Sequence, residues 1–306
     1  MTSQSVDQAG APVPQALAAA GVLFASICFG IVPYFARGLA EQGLAPQAVA
    51  FYRYVITGLV LCPVLVHQRR HWRAILWGLA GGAVMGLGWT GYAAAIRVVP
   101  ASTVGVLYMT YPVFTVAIAW IMFGDRPTGR ALIAAALVLL AAIVAGNPQA
   151  VPVDQIPALI LALTAPLGFG FGICVLVFRL SRIPPLARIA SATLGAVIAL
   201  APMIVTSDAA AVIPANLDVW LMVAGLALGS ALVPQLVYTV CTPIVGASRA
   251  AVFGSIELPT MFAVSVFALG EPLTWPQIVA CILIVSAIAL TNARATRNVT
   301  TNQTRS

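Results

Sequence analysis

Ten apolar stretches, each about long enough to cross a bilayer, follow one another from Ala16 to Leu290 with only short connections between them. They fall at about 16–36, 48–67, 74–95, 101–123, 128–146, 156–178, 186–206, 218–239, 247–269 and 275–292. A helix needs ~20 mostly apolar residues to cross roughly 30 Å of hydrocarbon. The runs are continuous instead of alternating, which selects helices over barrel strands. A soluble chain seldom combines 61% hydrophobic residues with 8% charged ones, and the connections leave no room for a soluble domain. The pattern predicts an all-α integral membrane protein of ten transmembrane helices.

Orientation follows from the arginines, since all 15 basic residues are arginine. With the N-terminus placed in the cytoplasm, the inner side holds Arg69, Arg70, Arg73, Arg126, Arg130, Arg179, Arg182, Arg188, Arg249, Arg294, Arg297 and Arg305. The outer side holds only Arg37 and Arg97. Positively charged residues gather on the cytoplasmic side of short loops, so ten spans with both termini cytoplasmic is the expectation. Acids run the other way, with Glu41, Asp154, Asp208, Asp218 and Glu271 outside and only Asp7 and Asp125 inside.

The net charge of +7 therefore reflects topology and gives no sign of a nucleic-acid partner; contact with anionic lipid headgroups is the expected use of these arginines. Cys28, Cys62, Cys174, Cys241 and Cys281 stand singly in apolar segments, as small buried thiols do. The first span lacks a basic leader and exceeds a typical signal core, so it is expected to be retained. Residues 1–15 and 293–306 read as cytoplasmic tails. The glycosylation patterns at Asn298 and Asn302 fall on the cytoplasmic side, where that modification does not occur.

The chain repeats itself. Shifted by 146 residues, Tyr92 meets Tyr238, Ala101-Ser102 meets Ala247-Ser248, Gly124-Asp125 meets Gly270-Glu271, and Thr128 meets Thr274. Near the start of each half the shift is 142, where Phe29-Gly30-Ile31 meets Phe171-Gly172-Ile173. This divides the chain into two five-span units, 16–146 and 156–292. An odd number of spans per unit turns the second upside down relative to the first. Inverted repeats are a recurrent architecture of secondary transporters, with the solute site near the midplane between halves. Interrupted helices at corresponding places point to such a site. Pro112 in span four and Pro259 in span nine occupy nearly the same aligned position. A proline within a helix removes one hydrogen bond and bends it, so both are candidate hinges, with simple bending for packing as the other reading.

Two charges lie within spans, Arg53 and Glu257. An intramembrane charge costs roughly 2.5–3.5 kcal/mol even on the lenient scale, so it faces a cavity or a partner. Glu257 stands ten residues into the ninth run, about 15 Å along a helix and near the midplane. It has three readings: it binds the amino group of a solute, carries a coupling proton, or pairs with Arg53. Arg53 is nearer the outer end of its run, from which it snorkels outward or reaches inward. The repeat sets Tyr111 opposite Glu257, so the two should line one cavity. Tyr108 shares a helix face with Tyr111. Trp89 with Tyr92, and Gln235 with Tyr238, have the same three-residue spacing. Rings with one polar handle suit a pocket for a part-apolar solute; the other reading is plain core or interfacial belt. Gly78, Gly82 and Gly86 form a ridge for close helix approach, whereas Gly168, Gly170 and Gly172 suggest flexibility in span six.

The chain resembles the drug/metabolite transporter superfamily, and within it the ten-helix EamA-type carriers of bacteria. The resemblance rests on the paired segments Thr110–Asp125 and Ser255–Glu271, each a proline-bearing helix that closes in Gly-Asp or Gly-Glu, and on Phe51-Tyr-Arg-Tyr-Val55 opening span two. Asp125 departs from the usual glutamate, and Glu257-Leu-Pro from the commoner Glu-Pro. The resemblance implies alternating-access export of small metabolites such as amino acids, aromatic ones among them, across the bacterial inner membrane. It implies no cofactor, and it places spans five and ten at the periphery, facing lipid or a twin subunit, as monomer or homodimer. Uptake, efflux of other metabolites or drugs, and proton coupling against facilitated diffusion stay open. An ATP-driven pump is excluded because no lysine exists for a phosphate-binding loop. A membrane enzyme would need clustered acid–base or metal-binding groups; His67 and His71 have no such companions. A channel would need an acidic ring or a carbonyl filter.

Overall fold

The computed structural model describes residues 14–146, 152–245, 253–254 and 256–292, and every regular element among them is helical. The first apolar run folds as α1 (Gln15–Gly30) and α2 (Val32–Glu41), joined at Ile31. Single helices α3 (Pro46–His67) and α4 (Trp72–Ala95) follow. The fourth run is split into α5 (Ala101–Tyr108) and α6 (Tyr111–Phe123), before α7 (Gly129–Gly146). The sixth is split into α8 (Ile156–Ala162) and α9 (Thr164–Phe178), and the seventh is α10 (Pro185–Val205). After the single turn α11 (Ala209–Val212), the eighth comprises α12 (Leu217–Ala224), a π-helical stretch Gly225–Leu232, and α13 (Val233–Val245). The last described elements are α14 (Glu257–Phe267) and α15 (Trp275–Asn292).

Seven of these helical rods are long and apolar enough to cross a membrane, and shorter apolar helices, Ala131–Val144, Glu257–Phe267 and Trp275–Ala287, stand at the fifth, ninth and tenth expected spans. The outward surface is apolar, with Ile121, Val205 and Phe267 all at least 79% exposed, a surface suited to acyl chains. Arg249, Arg294, Arg297, Arg305, Asp7, Asn298 and Asn302 lie outside the described residues.

The packing repeats with the halves exchanged. α1 lies against α13 and α14, as α9 lies against α4 and α6. α3 meets the π-helical stretch, as α10 meets α4; α3 also packs on α10, and α7 on α15. α6 and α14 end alike. Gly124 (φ 71°) and Gly270 (φ 66°) are left-handed, a conformation that glycine adopts without steric cost. The next amide then turns back, Asp125 N–H to the Ala119 carbonyl and Glu271 N–H to the Ser265 carbonyl.

Two expectations are corrected here. Pro112 does not kink a continuous helix. It sits in the first turn of α6, after a break at Met109-Thr110, where a missing N–H removes no helical bond. Pro259 likewise lies in the first turn of α14. Prolines well inside helices include Pro63 in α3 and Pro202 in α10. The glycines of span six are not spacers for flexibility either. A β-carbon on Gly168 would meet the backbone of Val84, and one on Gly170 the backbone of Thr115. The ridge on α4 behaves as expected: β-carbons at Gly82 and Gly86 would strike the backbone of Ala192 and Ala196 on α10. Lipid supplies no hydrophobic drive between helices, so such backbone proximity is what van der Waals association requires.

Contacts between connections define the two ends of the bundle. The Ala45 N–H donates to the Ala211 carbonyl at 2.8 Å, Gln47 to the Ser207 hydroxyl at 2.8 Å, and Arg97 to the Ala40 carbonyl at 3.5 Å. These join the first, third and seventh connections. At the opposite end Phe123 stacks on Phe178 at 4.7 Å, and Arg179 lies over Trp77 at 5.0 Å. That end carries most of the arginines.

Candidate functional site

A cavity of about 620 Å³ opens between the two halves. Arg53 of α3, Trp89 and Tyr92 of α4, Tyr108 of α5, Tyr111 of α6, Gln235 and Tyr238 of α13, and Glu257 of α14 all line it, as does Pro112. Pro259 is exposed and is not in the lining. Glu257 and Tyr111 hold equivalent positions: each is the first residue of its helix, α14 and α6. This corrects the expectation of a glutamate deep inside a continuous helix. At a helix N-terminus the macrodipole favours negative charge, so the break supplies a polar setting for the carboxylate within the membrane.

The rings form one connected wall. Trp89 lies 4.6 Å from Tyr92 and 6.2 Å from Tyr108, and Tyr108 lies 6.0 Å from Tyr92 and 6.1 Å from Tyr111. Phe169 of α9 completes it, 5.6 Å from Tyr108 and 5.0 Å from Tyr111. Phe29 of α1 meets Tyr238 across the cavity at 6.2 Å. Phe169 and Phe29 escaped sequence reading because each is an apolar ring in an apolar run; for Phe29 the available signal was its place in the segment aligned with Phe171-Gly172-Ile173. The Tyr92 hydroxyl is buried without a hydrogen-bond partner, although buried hydroxyls are ordinarily satisfied.

Arg53 reaches inward, its guanidinium 4.1 Å from the centre of the Trp89 ring, a cation–π distance. Among the described residues no ion pair joins it to Glu257, so the pairing reading fails in this conformation. The ion pair that does form is Arg37 with Glu271, at 3.2 Å. Sequence reading placed both in outer connections and gave them no role. Glu271, just beyond α14, accepts the N–H of Ala101 at 2.6 Å and of Ser102 at 3.1 Å, and the Ser102 hydroxyl at 3.0 Å. It thus caps α5 from the other half of the chain, satisfying amides that have no partner within the helix. Arg37 also donates to the Val99 carbonyl, and Gln277 of α15 donates to the Ser102 hydroxyl at 2.8 Å.

This four-way join stands at the end opposite the arginine cluster. Between it and the cavity, all eight residues of α5 are buried. The cavity lining reaches Leu180 and Arg188 at the arginine-rich end, and among the described residues the connections at the other end contribute nothing to it. Among the described residues, α5 therefore stands between the cavity and that end.

A family model for EamA-like transporters matches residues 16–146 and again 156–293. The chain belongs to the EamA-like transporter family. It is thus a multi-pass membrane transporter of the drug/metabolite transporter superfamily, built from two EamA repeats, in a family of carriers rather than enzymes. No curated protein matches the sequence. A solved structure titled only "Crystal structure of protein" shares the fold, with 15% identity and a TM-score of 0.58 over 90% of this chain and 97% of that one. In this EamA-like transporter the aligned repeats thus meet at the aromatic wall, and the join at Glu271 belongs to both of them.

Proposed function

We propose that this transporter is a secondary carrier that exports small organic metabolites, foremost amino acids and aromatic ones among them, by alternating access through the central cavity. The observation that carries this reading is a solute-sized cavity between the two repeats, walled by rings, lined by Arg53, Arg188 and Glu257, and closed off by α5 towards one end. Clefts of ~300–1,000 Å³ with a few convergent polar groups are the usual form of small-molecule sites. The ten apolar segments are read as ten spans with both termini cytoplasmic, in the inner membrane of a bacterium, because the arginine bias follows the positive-inside rule. The side of the cavity away from α5, which its lining reaches at Leu180 and Arg188, then faces the cytoplasm, where an exporter loads. The units 16–146 and 156–292 are the moving halves, and the breaks before Pro112 and Pro259 serve as their hinges.

Reconstituted vesicles loaded with single amino acids test the reading. Accelerated counterflow of at least one of them supports it, and no flux of any solute in the panel overturns it. Glu257 is read as the group that meets the solute amine or carries a proton. Glu257→Gln keeps the shape and removes the charge. If Glu257 carries the coupling proton, flux in this variant loses its dependence on pH; an unchanged profile assigns the residue to solute binding alone.

A further inference from the structure

A recess of about 70 Å³ opens beside the main cavity, bounded by Arg53, Thr57, Met85, Trp89, Thr193 and Gln235 among others. It has room for a few water-sized groups. Its polar groups are unequal in what they offer. The Arg53 Nη1 and the Thr57 hydroxyl are both buried with no hydrogen-bond partner, and Thr57 is only 2% exposed. Thr193 has spent its proton on its own helix, at the Ile189 carbonyl 2.9 Å away. Trp89 covers the guanidinium by its face, with the Arg53 Cζ 4.1 Å from the ring centre. No acidic side chain lines the recess.

An arginine at membrane depth without an anion is costly, and so is a buried hydroxyl without a partner. Two unspent donors lining one small void, with no acid in its wall and no ion pair to Arg53 among the described residues, describe a receptor for an anion. A guanidinium edge matches the two oxygens of a carboxylate. We propose that this recess binds the carboxylate group of the transported solute, held by Arg53, Thr57 and the Gln235 amide, with the solute body lying along the aromatic wall. The proposal rests on the carrier reading above and narrows its cargo to carboxylates. An amino group on the same solute would then face Glu257, the acidic residue in the lining of the larger cavity.

The test needs no transport. Intrinsic tryptophan fluorescence of the purified full chain in detergent is titrated with isovalerate, its neutral amide isovaleramide, and chloride. Isovalerate is expected to give a saturable change that the amide does not, with chloride at least tenfold weaker. Arg53→Gln should abolish the response and Thr57→Val should weaken it about tenfold; Trp89→Phe should remove the signal, assigning it to the ring over Arg53. The Thr57→Val variant, which preserves volume, decides the matter if Arg53→Gln does not fold. No saturable response, or a response unmoved by these substitutions, overturns the proposal. Equal affinity for chloride also overturns it, by making the recess a halide site. Isovalerate binding without flux in vesicles would sink the carrier reading alone.

Discussion

Replacing Glu271 by alanine is expected to destabilise the protein by about 2–3 kcal/mol and to unseal the end of the cavity that α5 closes. The carboxylate neutralises Arg37 and holds two backbone amides and the hydroxyl of Ser102. Removing it leaves a part-buried cation and the first amides of α5 unpaired. The figure lies below that for a fully buried pair because the Arg37 and Glu271 side chains keep 21% and 13% of their exposure. Glu271→Gln, which can still accept from the amides, should lose about half as much. Thermal unfolding in detergent reads the stability. For the seal, Val104→Cys is placed on α5 in a background without the five native cysteines. Val104 is fully buried, so a membrane-impermeant maleimide should leave it unmodified until Glu271 is removed. Equal labelling with and without Glu271 would show that the join does not seal this end.

Gly82→Ala is the second large effect. The added methyl would strike the Ala192 carbonyl on α10, and neither backbone can yield without parting α4 from α10. A loss of about 3 kcal/mol is expected, at the top of the range for overpacking because the obstacle is main chain. Gly229→Ala is the control. A β-carbon there meets nothing within 4 Å, so its unfolding temperature should stay close to that of the parent. A Gly82→Ala protein as stable as the Gly229→Ala one would refute the close-contact account.

Much of this was legible beforehand, because lipid imposes its rules on sequence directly. Apolar runs mark the helices, and the 146-residue shift already paired Tyr111 with Glu257, which now open equivalent helices. All eight side chains expected to meet the solute line one cavity; whether they bind it is for the flux and fluorescence experiments. The breaks at Ile31 and Leu163 were not legible, since a run of apolar residues reads the same whether its helix is whole or parted. Nor was the role of the prolines, because a ring in the first turn of a new helix and one inside an old helix look identical in a string of letters. Arg37 and Glu271 were hidden by their position. At the end of a run a charge is expected to face water, and only the fold brings residues 234 apart in sequence to within 3.2 Å.

Glu271 grips α5 through three hydrogen bonds and α2 through one ion pair, all of which converge on a single carboxyl group. These bonds cannot be released one by one at small expense, since freeing the group surrenders them together. Under the proposed alternating access, that end should therefore behave as a snap fastener with two settings, and the time spent waiting for it to spring, more than the passage of cargo, would set the tempo of each cycle.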